Sequence, residues 1–324
     1  MYSESASKER QIKKNYIYLT GGLGNQLFQL TALAALSEKR QLVVDAINGA
    51  PRGEQIGSPE SNRFNLFSTS PVIFDNEFSR LTKRAIGYSL RSNINPTELE
   101  LSLKVPNVAR FLTSVLLSIS CRELLSVKVC QGIGFDADIK QSFFNTYFVG
   151  YFQSYKWLNS LSEAQELNVE LIKPSDEVDY FRRLAQAENP LVVHVRLGDY
   201  LSEGGFGTLG ESYYARAITN AINSGNFGKI WLFSDDPKGA LERLPSNLEL
   251  EIRNMPDFGD SPASTLEVMR LGKGYVIANS TFSWWGAALS YELNPIVIYP
   301  YPWFKSMDSP LELVPPHWLP VSTA

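Results

Sequence analysis

Residues 191–200 read Leu-Val-Val-His-Val-Arg-Leu-Gly-Asp-Tyr, an apolar run broken by His194 that ends in Arg196, Gly198 and Asp199. A guanidinium presents a planar fork of N–H donors that fits phosphate or carboxylate. Held away from water it needs an anion. These residues alone therefore support two readings about equally, a phosphate site or an internal Arg196–Asp199 pair. Two further clusters carry related chemistry. Ser234-Asp235-Asp236-Pro237 offers a hydroxyl and two carboxylates, and Asp236-Pro237 also reads as a helix start. Asn279-Ser280-Thr281-Phe282-Ser283-Trp284-Trp285-Gly286 reads as a hydroxyl-rich helix start. Side-chain hydroxyls from Ser280, Thr281 and Ser283, together with unpaired backbone N–H groups, would suit an anion. One such hydroxyl acting as an N-cap explains the same pattern. Trp284 and Trp285 can line a sugar or base pocket or pack a core, and core packing is the default for at least one of them.

These clusters need a scaffold that delivers them together. Each follows a short strand: Leu191–Val195, Ile230–Phe233 and Tyr275–Ala278. Helices are expected at Tyr213–Asn223, at Ser264–Leu271 and through Leu289 and Tyr291, with a last strand at Ile296–Tyr299. Strands alternating with helices argue for a parallel, doubly wound sheet, whose carboxyl edge is where ligands bind. The first half opens similarly: a strand over Tyr16–Thr20, a turn at Gly21-Gly22-Leu23-Gly24, a helix over Asn25–Arg40 and a strand over Gln41–Asp45. Residues 50–105 read as loops and short helices, and Tyr147–Phe152 as a strand. Val108–Ile119 is too short and, with Arg110, Thr113, Ser114 and Ser118, too polar to span a bilayer; a helix packed within the protein is the better reading and membrane contact the lesser one. The chain turns polar over Leu161–Pro174, and Asp176–Glu188 reads as a helix. The organisation expected is a polar, disordered terminus over 1–15, an α/β domain over 16–165 and a second α/β domain with a tail over 166–324.

Composition excludes several classes. A formal net charge of −4 leaves no broad basic footprint for nucleic acid. Cys121 and Cys130, with only His194 and His317, do not make a zinc site, and a Ser–His–Asp constellation is not available. Asp136-x-Asp138 matches a short metal-binding pattern of a kind that occurs by chance in a chain this long. Gly22-x-Gly24 followed by Asp45 imitates a dinucleotide-binding turn, but the third glycine position holds Leu27, and no Walker lysine follows. The polar N-terminus lacks a signal-peptide core and the cysteines are few, which points to a cytoplasmic protein.

Five ordered segments resemble the α-1,2-fucosyltransferases, glycosyltransferase family 11. They are Gly21-Gly22-Leu23-Gly24-Asn25-Gln26-Leu27-Phe28-Gln29, Gly150-Tyr151-Phe152-Gln153-Ser154, His194-Val195-Arg196-Leu197-Gly198-Asp199-Tyr200, Phe233-Ser234-Asp235-Asp236 and Ile277–Gly286. The third resembles a motif shared with the α-1,6- and protein O-fucosyltransferases. The resemblance implies a GT-B architecture, two Rossmann-like domains facing a cleft. It implies GDP-fucose as co-substrate, a galactose-containing glycan as acceptor, an inverted α-1,2 product and no required cofactor or metal. It implies surface-polysaccharide synthesis at the inner membrane face, with peripheral membrane contact but no spanning segment. The C-terminal domain would hold the donor through His194, Arg196, Asp199, Ser234, Asp235, Asp236, Glu267, Asn279, Ser280, Thr281 and Ser283, with Gly22 and Gly24 of the N-terminal domain also on the donor side. Arg196 would meet the β-phosphate and stabilise the leaving group. Asp235, Asp236 or Glu267 would accept from guanine N–H groups, Glu267 being favoured. Asn25 would reach donor or acceptor, or cap its helix. Gln26, Gln153 and Trp284 complete the acceptor side.

One departure stands out. Family members commonly carry Arg-Arg where this chain has Arg196-Leu197, which removes a positive group expected near the donor. The base that takes the acceptor proton is open among Glu203, Glu211 and Asp199, or none, and Asp199 equally suits bracing Arg196. Competing readings are a same-fold transferase using another nucleotide sugar, a non-catalytic GDP- or sugar-binding protein, and a dinucleotide oxidoreductase.

Overall fold

A computed structural model describes residues 12–19, 21–45, 64–67, 72–75, 107–121, 124–130, 132–162, 167–171, 174–198, 208–256, 258, 262–305, 309–310 and 312–323. Two parallel sheets organise them. The first combines β1 (Lys14–Tyr18), β2 (Gln41–Asp45), β4 (Val72–Asp75), β5 (Leu125–Val129) and β6 (Asn145–Val149) in the order β4-β2-β1-β6-β5. The second combines β8 (Pro190–Val195), β9 (Lys229–Ser234), β10 (Ile252–Asn254), β11 (Gly274–Val276), β12 (Ile296–Tyr301) and β13 (Leu319–Ser322) in the order β10-β9-β8-β11-β12-β13. The second follows the doubly wound rule, building outward from β8, returning and continuing on its other side; in the first the chain builds outward from β1, crosses to the far edge at β5 and fills in β6 beside β1. This is the GT-B arrangement.

Helices connect the strands: α1 (Leu23–Ala35), α2 (Asn107–Cys121), α3 (Tyr155–Asn159), α4 (Asp176–Glu188), α5 (Glu211–Ser224), α6 (Pro237–Leu241), α7 (Pro262–Met269) and α8 (Thr281–Ala288). Ser175 caps α4 by accepting from the Val178 N–H, and Asn189 ends it in the left-handed region. β8 is buried along its whole length, as a central parallel strand covered on both faces must be.

The structure differs from the sequence reading in two features and adds a small sheet. The expected loops of 50–105 include two strands, β4 and β3 (Phe64–Phe67), each too short for an alternation signal; the remainder of 50–105 lies outside the described residues. β3 pairs antiparallel with β7 (Leu167–Leu171), so a small two-stranded sheet straddles position 165. α2 forms where expected but turns its apolar side outward. The terminal 1–11 segment also lies outside the described residues.

One apolar core runs across both halves. It joins Ile17, Leu27, Phe28 and Phe148 of the first to Trp231, Tyr275, Trp284 and Trp285 of the second. The ring of Phe28 lies 4.5 Å from that of Trp284 and 4.9 Å from that of Trp285, and Trp284 lies 5.4 Å from Trp318. The two sheets are thereby locked through α1 and α8.

Candidate active site

In the second sheet the winding reverses between the neighbours β8 and β11. Ligands of open α/β sheets bind in the crevice at such a point, beyond the carboxyl ends of the strands. Arg196 leaves the end of β8 there, and Asn279 to Ser283 leave the end of β11 into α8. The loop after β8 is held by Asp235, at the end of adjacent β9. Asp235 Oδ1 accepts from the Leu197 N–H at 3.0 Å, and Oδ2 accepts from the Gly198 N–H at 2.9 Å. Arg196 Nη1 lies 3.1 Å from the same Oδ2. A side chain on Gly198 would collide with that carboxylate. Arg196 is thus in an internal ion pair with Asp235, a partner the sequence did not suggest; the Arg196–Asp199 pair it did suggest falls outside the described residues. The Arg196–Asp235 pair remains about a third exposed on the arginine side, so an incoming anion can compete for the guanidinium.

His194 is 5% exposed, and its Nδ1 has no hydrogen-bond partner among the described residues. Burial, and then the charge of Arg196, push its pKa down to about 3, against a smaller opposing pull from Asp235. The imidazole is therefore neutral at physiological pH. Tyr214 Oη donates to the His194 carbonyl at 3.2 Å, and Tyr213 Oη donates to the Ile277 carbonyl at 2.6 Å. Two adjacent tyrosines of α5 thus fix the ends of β8 and β11. No spacing in the sequence announces them.

The first sheet reverses between β1 and β6. Gly21 follows β1 with φ +76°, a conformation that favours glycine, and the Asn25 side chain folds over it. Gln153, beyond β6, donates from Nε2 to Asn25 Oδ1 at 3.0 Å. The two candidate acceptor-side residues thus meet at the first sheet's own switch point. Gly22 is the N-cap residue of α1, with no side-chain cap, and a Cβ there would meet nothing within 4 Å. Gly24 is different: a Cβ there would lie 2.6 Å from the Phe282 nitrogen. Its absence lets the start of α1 press against the start of α8.

Several candidates are committed to structure. Glu267 is 0% exposed. Its Oε1 accepts from Arg182 at 2.6 Å and Tyr291 at 2.7 Å, and its Oε2 from Arg270 at 2.8 Å. Both oxygens have partners, so Glu267 is not open to a guanine as the sequence reading favoured. The i, i+3 spacing of Glu267 and Arg270 was the available signal. Trp284 is wholly buried, its Nε1 donating to the Leu313 carbonyl at 3.1 Å, so it packs the core and does not line an acceptor pocket. Gln26 is buried and donates to the Gly21 carbonyl at 3.1 Å, bracing the turn instead of facing an acceptor. Ser283 points inward, donating to the Ser280 carbonyl at 3.2 Å. Ser280 caps α8, accepting from the Phe282 N–H at 3.3 Å, and Thr281 and Asn279 flank it. Asp236 caps α6 through the Gly239 N–H at 3.0 Å, and Ser234 exchanges hydrogen bonds with the Asp236 backbone.

Leu197 is 3% exposed within the second sheet's apolar cluster. Adjacent extended residues face opposite sides, so the side chain after Arg196 points into the core and removes nothing from the crevice. Asp136 Oδ1 accepts from the Asp138 N–H at 3.0 Å, a local turn. Glu211 begins α5 and lines a shallow depression with Glu242 and Leu244. Asp199 and Glu203 lie outside the described residues.

Comparison with known proteins agrees with this geometry. The model of the family described as glycosyl transferase family 11 matches residues 136–309. The O-antigen biosynthesis glycosyltransferase WbnK of Escherichia coli is 27% identical over 306 residues, covering 89% of this chain and 94% of its own. An alpha-1,2-colitosyltransferase of Escherichia coli is 29% identical over 175 residues, 49% of this chain and 56% of that one. The crystal structure of fucosyltransferase NodZ from Bradyrhizobium superposes with a TM-score of 0.50 at 16% identity, covering 93% of this chain and 100% of that one, and so shares the fold.

Proposed function

The chain belongs to glycosyl transferase family 11, and we propose that it moves L-fucose from GDP-β-L-fucose to the 2-hydroxyl of a galactose residue in a surface glycan, with inversion. The observation that carries this reading is Arg196 at the carboxyl end of β8, beside the start of α8, at the second sheet's switch point. In the proposed reaction the acceptor oxygen attacks the anomeric carbon from the face opposite the nucleotide. The bond from that carbon to the β-phosphate oxygen breaks, negative charge builds on the departing GDP, and the acceptor hydroxyl releases its proton late, to that phosphate or to water. Arg196 meets that charge, assisted by the backbone N–H groups at the start of α8. Asp235 holds the Arg196 loop in place before the donor arrives and releases part of the guanidinium to it. Asn25, fixed by Gln153, faces the acceptor. With countercharge from these groups, a divalent cation is not called for, and EDTA should leave turnover unchanged.

The O-antigen role in the name of the Escherichia coli relative supports a polysaccharide acceptor. The name of the second relative motivates a second reading, in which the donor carries colitose, a sugar that lacks the 3-hydroxyl of fucose. Incubation with GDP-fucose, GDP-colitose, GDP-mannose and UDP-sugars over a panel of β-galactosides, followed by linkage analysis, separates the readings. An α-1,2-fucosylated galactoside as the preferred product supports the first. A kcat/KM favouring GDP-colitose supports the second. GDP binding without transfer to any galactoside defeats both.

A further inference from the structure

α2 lies on β5 through Thr113 and Leu117, which are buried. Ser114 Oγ accepts from the Val127 N–H at 3.1 Å and Ser118 Oγ from the Leu125 N–H at 2.9 Å, so hydroxyls fasten the helix to the sheet. The other side carries Val108, Phe111, Leu112, Val115, Leu116 and Ile119, all exposed, Phe111 to 68% and Ile119 to 70%. A helix that turns its small polar residues inward and its large apolar ones outward is built to meet something else.

The patch continues beyond the helix. Ser118 ties the last turn of α2 to the start of β5, and the preceding Leu124 is exposed. Leu125 pairs with Asn145 of β6, which places Phe143 and Phe144 alongside, Phe143 being 79% exposed. Cations border these rings. Lys13 Nζ sits 3.8 Å from the Phe143 ring centroid, and Arg40 donates to the carbonyls of Ser142 and Phe144 at 2.7 and 2.8 Å. Lys39 and Lys140 are exposed near the same edge, with Glu38 the acid of that turn. α2 itself carries Arg110 and no acid. Phe143, Phe144, the bordering cations and the last turn of α2 lie at the amino ends of the first sheet's strands, and α2 runs back along β5, Ser118 beside Leu125 and Ser114 beside Val127, so that Val108 and Phe111 extend the apolar face toward the carboxyl end of that edge strand.

We propose that this face docks the protein on a bilayer containing anionic lipid. Aliphatic and aromatic side chains flanked by lysines match the two layers of such a surface: apolar groups enter the acyl boundary, and cations meet the headgroup phosphates. The charge bordering the patch argues for that occupant over a second copy of this chain, because a two-fold pairing would bring the same cations toward one another. The proposal is independent of the donor sugar.

The test is sedimentation of the full chain with vesicles of phosphatidylcholine alone or with about a third phosphatidylglycerol, at low and high salt, alongside sedimentation velocity without lipid. The expected result is binding to the anionic vesicles that weakens with salt, with at least a tenfold drop in partitioning for Phe111→Glu/Ile119→Glu and a several-fold drop for Lys13→Glu/Lys39→Glu. Thermal unfolding checks that the variants, all at exposed positions, retain the wild-type fold. The proposal is overturned if folded wild-type protein ignores anionic vesicles, or if the folded Phe111→Glu/Ile119→Glu protein binds them like wild type. It is equally overturned by a lipid-free dimer that this variant dissolves, which would assign the face to a second copy.

Discussion

Gly24 in the first turn of α1 stands against Thr281, the first residue of α8, so closely that a Cβ on Gly24 would lie 2.7 Å from the Thr281 carbonyl oxygen. The neighbour is backbone and cannot swing aside. Gly24→Ala should therefore force the two helix starts apart, destabilising the protein by about 1–3 kcal/mol in urea unfolding and weakening donor binding, since α8 carries Ser280 and Thr281. A variant with unchanged stability and donor affinity would show that the contact is slack.

Arg196→Ala should separate catalysis from stability. The Arg196–Asp235 pair is partly exposed, so its loss should cost less than about 1 kcal/mol of folding free energy. Transition-state stabilisation should fall by about 3 kcal/mol, on the scale seen when an oxyanion donor is removed. Steady-state kinetics beside chemical denaturation measures both, and kcat/KM within about tenfold of wild type would remove Arg196 from the reaction.

Leu197→Arg restores the residue pair common in the family, yet it should not improve donor binding. The position is buried among apolar side chains behind the strand end. An arginine placed there is an unpaired buried charge, and a loss of several kcal/mol is expected. Tighter GDP binding by a stable Leu197→Arg protein would show that this side chain faces the crevice.

Glu267→Ala distinguishes a structural acid from a base-reading one. Removing it leaves Arg270 buried without its ion-pair partner, a situation that typically costs about 3–5 kcal/mol. The expected outcome is a large drop in unfolding free energy. A protein of wild-type stability that no longer prefers GDP over ADP would instead return Glu267 to the nucleotide.

Acid should unfold the protein in a defined window. His194 is held near 3 by burial and by Arg196, well under its unfolded value of 6.5, so below that value the unfolded chain takes up a proton that the native one refuses. Burial alone would raise the Glu188 carboxyl. Hydrogen bonds from Arg253 and from the Trp231 indole, with the Arg253 and Lys229 charges, outweigh it and lower the carboxyl to about 2. Its stabilisation is present above the ordinary carboxylate range and is lost as pH falls toward 2. Both groups have the same sign, so stability should decline from about pH 6.5 downward and more steeply below 4.5. Chemical denaturation across pH 3–8 measures it, and His194→Gln should flatten the upper part of the decline.

The parts legible in the sequence were those set by local pattern. The apolar run before Arg196, broken only by His194, specified a central strand, and the alternation of strands and helices around it specified the winding that puts Arg196 beside the start of α8. What was not legible was which polar side chains are already answered by distant partners. Glu267 meets Arg182 across 85 positions, and Gln153 meets Asn25 across 128. Burial likewise has no local signature at Trp284, where a tryptophan beside a helix start fits pocket and core equally. In α2 the residues Thr113, Ser114 and Ser118 read as interruptions of an apolar stretch, and nothing local said that the hydroxyl-bearing side is the one that touches the sheet.

The cluster of Phe28, Trp284, Trp285 and Trp318 sets the mechanics of the whole molecule. It sits where the two sheets join, close to the glycine contact between α1 and α8. Any opening of the crevice must turn about it as a fulcrum or tear it apart. The rings thus tie α1, which carries Asn25, to α8 at the junction of the two sheets, and the halves cannot part there without bringing three tryptophans and Phe28 into water.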